Sequence, residues 1–127
     1  MTESDECPFC EIVRGERESD VLLESADYCC FLDAYPVNEG HALVAPKTHV
    51  RYMEDLEDPK LYEFLREALA EVNRRYEPDS TNVGINNGSA AGQTIPHLHW
   101  HIIPRYEGDM EDPTGGVRGV IPEERTY

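Results

Sequence analysis

The chain has 127 residues and a mass of 14.5 kDa, room for one domain with a buried core and too little for two. With 26 acidic against 11 basic residues it carries a formal charge of −15, which excludes unaided nucleic-acid wrapping or adhesion to an anionic membrane. No apolar run approaches the ~18–20 residues that span a bilayer, and the opening Met1-Thr2-Glu3-Ser4-Asp5-Glu6 lacks the basic-then-apolar layout of a signal peptide. A cytoplasmic protein is expected.

In chain order, Cys7-Pro8-Phe9-Cys10-Glu11-Ile12-Val13-Arg14 predicts a short helical turn that Gly15 ends. Residues 21–24 and 28–32 read as paired strands separated by Ser25-Ala26-Asp27. A third strand, 41–45, follows the turn cluster Asn38-Glu39-Gly40. From Pro59 the period lengthens: Leu61, Leu65, Ala68, Leu69, Val72 and Tyr76 share one helical face, with Asp58 as N-cap and Pro78 beyond the end. Strands follow at 81–86 and 97–103, and the Gly-, Pro- and charge-rich segment after Pro104 reads as an extended tail. The pattern predicts one α+β domain over 1–127 with a mostly antiparallel sheet, its core at about 7–106 and its tail at 107–127.

Two compositional features stand apart from the elements. Only Lys47 and Lys60 are lysines, and carboxylates recur along the whole chain. Such a surface repels itself when the Debye length is ~10 Å and is relieved at molar salt, where it is ~3 Å; we read it as adaptation to a salt-rich cytoplasm. The four cysteines do not form a disulfide framework: Cys7 and Cys10 make a C-x-x-C, and Cys29 and Cys30 are adjacent on a strand, each a small buried hydrophobe on its own face.

The chemistry concentrates in His97-Leu98-His99-Trp100-His101-Ile102-Ile103. On a strand, alternate residues share a face, so three imidazoles line up while Leu98, Trp100 and Ile102 turn to a core. Metal ligation or nucleophilic catalysis suits such a row. The preceding Asn86-Asn87-Gly88-Ser89-Ala90-Ala91-Gly92-Gln93-Thr94 is built of small and amide residues, a cradle for phosphate oxygens. A phosphate cradle leading onto histidines points to nucleophilic attack on phosphorus.

These residues resemble the histidine triad (HIT) family of nucleotide hydrolases and transferases. The likeness rests on Gly92-Gln93-Thr94 followed by His97-x-His99-x-His101-Ile102-Ile103, and extends through Cys7-x-x-Cys10, Phe31-Leu32-Asp33, Gly40-His41-Ala42-Leu43-Val44 and Pro46-Lys47-x-His49. The resemblance implies a homodimeric α+β fold, with a five-stranded sheet, one long and one short helix per subunit, that binds purine nucleoside monophosphate units. It makes His99 the nucleophile that forms a nucleotidyl-histidine intermediate, and His101 the histidine that contacts phosphate and assists the leaving group. Asn86, Gly92, Gln93 and Thr94 match phosphate-contacting positions, Asp33 the carboxylate that takes the ribose hydroxyls, and Phe9 and Ile12 the base pocket. Some relatives hold a structural zinc on two cysteines and two histidines, which suggests Cys7, Cys10, His49 and His97 as ligands here. His41 is expected to pack or hydrogen-bond beside the histidine strand.

Two substrate classes stay open within this reading. Asn86 and the C-x-x-C resemble the branch that cuts P–N bonds; Gln93-Thr94 and Ile103-Pro104-Arg105 look more like the dinucleoside-polyphosphate branch. The alternatives are a nucleotide-binding sensor with little turnover and a nonhydrolytic metal protein with three histidines on one ion. Arg118, on the Gly-rich tail, is either a surface charge or a contact for a polyphosphate.

Overall fold

The computed structural model describes residues 7–126; the acidic opening at 1–6, used above against a signal peptide, lies outside them. The elements are α1 (Pro8–Val13), β1 (Val21–Glu24), β2 (Tyr28–Leu32), β3 (Ala42–Pro46), α2 (Leu61–Tyr76), β4 (Ser80–Ile85) and β5 (Trp100–Arg105). All strand pairs are antiparallel, in the order β1-β2-β3-β5-β4. The chain is therefore α+β with a five-stranded sheet, and the histidine-bearing strand runs in its interior. No helix among the described residues is long and apolar enough to cross a membrane.

The period-two alternation of β2, β3 and β5 sorts their side chains onto two faces. Cys30, Ala42, Val44, Trp100 and Ile102 point to one, where α2 covers them with Phe64, Ala68 and Val72. Cys29, Phe31, Leu43 and Ala45 point to the other and meet Cys7, Phe9 and Cys10 of the α1 segment. His101 of β5 shares this second face, and His97 and His99, in the stretch just ahead of the strand, stand beside Phe9 at the edge of the smaller core. Adjacent Cys29 and Cys30 thus serve opposite cores as buried, free thiols.

Strand ends shift by a residue or two, and three departures from the sequence reading are larger. The long helix begins at Leu61, with Lys60 rather than Asp58 at its N-cap position. Asp58 caps a preceding turn instead: one carboxylate oxygen accepts Lys60 N–H at 2.8 Å and the other accepts the Tyr28 hydroxyl at 2.6 Å. The fifth strand begins at Trp100 rather than His97. Its ladder with β3 runs from Ala42–Ile102 to Val44–Trp100, and β3 ends at Pro46, which has no N–H to continue it. The tail does lie outside the sheet, but it coils into short 3-10 turns at Gly116–Val120 and Pro122–Glu124. Arg125 ties it together, its guanidinium donating to the carbonyls of Asp112 and Thr114 at 2.6 and 2.8 Å. Gly115 is obligatory in this fold-back: its φ is +95°, and a Cβ there would lie 2.0 Å from the Arg125 carbonyl oxygen.

Candidate active site and metal centre

A cavity of about 530 Å³ opens on the second sheet face. Its apolar wall comes from Phe9 and Ile12 of α1, Phe31 of β2, Leu43 of β3 and Ile95. Asp33 stands just past the end of β2, and Asn86, Gly92, Thr94, His99 and His101 form the polar wall. The sequence-predicted base, ribose and phosphate residues are thereby brought to one hollow, with Gln93 the exception. Shallower grooves of 590 and 610 Å³ follow the tail and are lined by no histidine or cysteine. Arg118 is in neither wall of the histidine cavity; its Nε donates to the Glu124 carbonyl at 3.1 Å within the tail.

The loop between β4 and β5 holds its shape through Gln93. This buried amide accepts Gly88 N–H at 2.9 Å and donates to the carbonyls of Arg51 and Ile95 at 3.1 and 3.2 Å. Gln93 braces this loop from behind the cavity. Gly92, at φ +105°, makes the turn that carries the chain past Asn86.

The two histidines facing the cavity have different hydrogen-bond settings. His99 Nδ1 donates to the His97 carbonyl at 2.7 Å, so its proton sits on Nδ1 and the Nε2 lone pair is left for the cavity. Burial is the main cause that lowers the His99 pKa, which keeps that lone pair unprotonated; the His97 carbonyl and Asp33 pull the other way. His101 Nδ1 lies 2.9 Å from His41 Nε2. Burial, then the charges of His99 and His41, push His101 down to about 4 against the pull of Asp33. His41 is itself buried, accepts Val37 N–H on Nδ1 at 3.0 Å, and has Asp33 Oδ2 3.5 Å from its Nε2. His41, Phe31, Leu43 and Ile95 join the site residues that the sequence singled out. The signal for His41 was its place just ahead of β3, where Leu43 pairs with His101.

Behind the cavity, Cys7, Cys10, His49 and His97 converge, their ligand atoms all within 4.8 Å of one another. His97 Nδ1 is 3.2 Å from Cys7 Sγ, 3.5 Å from Cys10 Sγ and 3.1 Å from His49 Nδ1; Cys10 Sγ is 3.2 Å from His49 Nδ1. A tetrahedral ion with two Zn–S and two Zn–N bonds wants ligand atoms about 3.3–3.8 Å apart. The four nearest pairs, at 3.1–3.5 Å, are slightly tighter than this, and all four donors lie within reach of one ion. His97 Nε2 donates to the Pro46 carbonyl at 2.8 Å, which fixes the tautomer that turns the Nδ1 lone pair inward. Burial first, and the Cys7 thiol beside it, push the Cys10 thiol up to about 12; a coordinating cation deprotonates such a thiol outright. These four residues could hold a metal.

The cysteine–histidine cluster and the cavity share parts. His97 offers its ring to the cluster and its carbonyl to His99. Phe9, between the two cysteines, packs edge-on against His99 at 4.8 Å and His97 at 5.8 Å.

A five-stranded antiparallel sheet with a short and a long helix, its imidazoles set against a small-residue loop, is the arrangement of one protein class. A HIT domain family model matches residues 14–108, and the chain belongs to the HIT family. It is 42% identical over 107 residues to an uncharacterized HIT-like protein of Methanocaldococcus jannaschii, covering 83% of each chain. It is 40% identical over 99 residues to the adenosine 5'-monophosphoramidase hnt1 of Schizosaccharomyces pombe, covering 78% of this chain and 74% of that one. Among solved structures, a Zn-bound histidine triad family protein of Mycobacterium smegmatis superposes with a TM-score of 0.74 at 34% identity, covering 86% of this chain and 81% of its own.

Proposed function

We propose that the protein hydrolyses nucleoside 5'-phosphoramidates, releasing a nucleoside monophosphate and an amine. The observation that carries this is the His99 setting: Nδ1 is committed to the His97 carbonyl, and the ring lines a cavity shared with Asn86, Gly92 and Thr94, which leaves Nε2 for a ligand there. Nε2 attacks the α-phosphorus, the P–N bond breaks, and its electron pair stays on nitrogen, which takes up one proton from solvent water and leaves as the amine. Water then attacks phosphorus, the P–Nε2 bond breaks, its pair returns to Nε2, and the proton that water loses balances the one the amine took. Splitting the displacement through an imidazole adduct is ordinary nucleophilic catalysis.

Asp33 takes the ribose hydroxyls, Phe9 and Ile12 flank the base, Asn86, Gly92 and Thr94 hold the phosphate with His101, and Gln93 keeps their loop in shape. The choice of P–N over a polyphosphate is favoured by charge. Arg17 is the one cation among the described residues that line the cavity, and it is paired with Glu11 at 3.2 Å. A polyphosphate leaving group would find little to neutralise it on a chain of charge −15. The phosphoramidase relatives of fission and budding yeast point the same way. Cys7, Cys10, His49 and His97 would hold a structural zinc. The working unit is a cytoplasmic homodimer of single-domain chains.

The test is turnover of adenosine 5'-phosphoramidate against diadenosine polyphosphates, in 0.1 M and 2 M KCl. A higher kcat/KM for the phosphoramidate is expected. Preference for the polyphosphates would reverse the substrate assignment, and tight AMP binding without turnover of any conjugate would make the protein a nucleotide sensor.

A further inference from the structure

The histidine that stands beside the nucleophile is usually free to be read in either of two ways, as a proton-carrying acid or as a neutral hydrogen-bond donor. Here its surroundings decide. Val37 N–H points at His41 Nδ1 from 3.0 Å, so Nδ1 must be a bare acceptor and the His41 proton must sit on Nε2. That N–H lies 2.9 Å from His101 Nδ1, a gap that holds one hydrogen and not two. His101 Nδ1 is therefore the acceptor, and the proton of neutral His101 is on Nε2, the nitrogen left to the cavity.

Asp33 reinforces the same polarity. Its Oδ1 is held by Tyr35 N–H at 2.9 Å, and its Oδ2 stands 3.5 Å from His41 Nε2, where the negative charge favours a proton on that nitrogen. Every hydrogen in the chain of bonds then points one way, from the Val37 amide through His41 and His101 toward the cavity. Adding a proton to His101 Nδ1 would place two hydrogens in one gap, or drive the His41 proton onto Nδ1 against Val37 N–H.

We infer that His41 is a positioning residue which locks His101 as a neutral imidazole with its proton on Nε2, so that His101 offers the phosphate a fixed hydrogen-bond donor and is not a titrating acid. The two cavity-facing imidazoles are thus set in opposite tautomers by different partners: His99 presents a lone pair and His101 an N–H. A nucleophile and an electrophilic donor stand side by side, and neither needs a change of protonation before substrate arrives. The inference about catalysis rests on the reading that these two rings face the transferring phosphate; the tautomers themselves do not.

The experiment is long-range 1H–15N NMR of the histidine rings in the full-length protein at pH 7, with assignment by His101→Asn. Neutral His101 protonated on Nε2 is expected. An imidazolium, or a proton on Nδ1, overturns the proposal whether or not any substrate is turned over, whereas inactivity with the expected tautomer overturns only the functional reading. Two substitutions supply the second arm. His41→Gln can still donate an amide N–H to His101 and is expected to keep the tautomer. His41→Glu, an acceptor at the same place, is expected to pull a proton onto His101 Nδ1 and to lower kcat by about 10²-fold, the usual cost of one lost transition-state donor. Equal losses in Gln and Glu variants would overturn the positioning role. With adenosine 5'-phosphoramidate, kcat/KM of the unsubstituted protein is expected to show no fall between pH 7 and 9. His101 is faced by His99, His41 and Asp33, and a cationic acid among these groups would lose its proton on that side.

Discussion

At the scale of single residues, the His99 environment makes a sharp claim about the ring itself. On the proposed mechanism, removing it takes away the attacking lone pair and leaves the loop of Asn86, Gly92 and Thr94, Asp33 and the apolar wall. His99→Ala is expected to abolish turnover while AMP affinity, measured calorimetrically, stays within about tenfold, or ~1.4 kcal/mol. Residual turnover near the unsubstituted rate would falsify the nucleophile assignment. A second consequence concerns stability. An unfolded imidazole titrates near its ordinary value of about 6.5, whereas burial holds His101 at about 4 and moves His41 in the same direction. Between those values the unfolded chain binds more protons than the folded one. The stabilisation is therefore complete above about pH 6.5 and drains away as the pH falls toward about 4. Melting temperatures measured down that window in 2 M KCl should fall, and His101→Asn should flatten the slope. Much of this site was legible in the sequence, because a period-two histidine row and a small-residue loop are local patterns. The His41–His101 bond spans 60 positions and depends on β3 pairing with β5 in the register that sets Leu43 opposite His101. No local pattern carries that register.

At the scale of elements, the short α1 segment does more than cover a core. The Cys7 sulfur accepts Cys10 N–H at 3.3 Å, so the helix is capped by a thiol that also belongs to the cysteine–histidine cluster. A metal held there would fasten α1 to the loop that bears His97, two parts of the chain 90 positions apart. Metal analysis of protein purified under reducing conditions without chelators is expected to find about one zinc per chain. Cys10→Ser should lose the metal and melt at a lower temperature, since metal binding adds directly to folding free energy. Unchanged melting in a metal-free protein would reject the site. The sequence pattern located all five strands and both helices. What it missed were ends: Pro59 and Asp58 look like a helix start, yet the Tyr28 hydroxyl draws the Asp58 carboxylate toward the sheet and the helix begins two residues after the proline. The tail was equally opaque, because its fold-back depends on Arg125 finding the carbonyls of residues 112 and 114.

At the scale of the whole molecule, the surface charge bears on stability and, under the proposed function, on the approach of substrate. On the proposed function, a chain of formal charge −15 has to admit an anionic nucleotide. At 0.1 M salt the ~10 Å Debye length lets the surface carboxylates act on the approaching ligand and on each other; at 1 M it is ~3 Å. Contacts inside the cradle, over hydrogen-bond distances, survive that screening better than long-range repulsion does. The rate at low substrate concentration and the melting temperature are both expected to rise between 0.1 M and 2 M KCl. A steep fall in activity with salt, in protein shown by circular dichroism to stay folded, would mean that local attraction outweighs the net charge.

His97 belongs to two structures at once, giving its ring nitrogen to the sulfur cluster and its carbonyl to the His99 ring. The two cannot be adjusted separately, and this has an experimental use. An ion with visible absorption, such as cobalt, placed among Cys7, Cys10, His49 and His97 would be linked through the His97 ring and carbonyl to His99, the proposed nucleophile. Its colour would then respond to the strength with which His99 pulls on that carbonyl, and adduct formation could be followed as a spectral shift on a substrate that has no chromophore of its own.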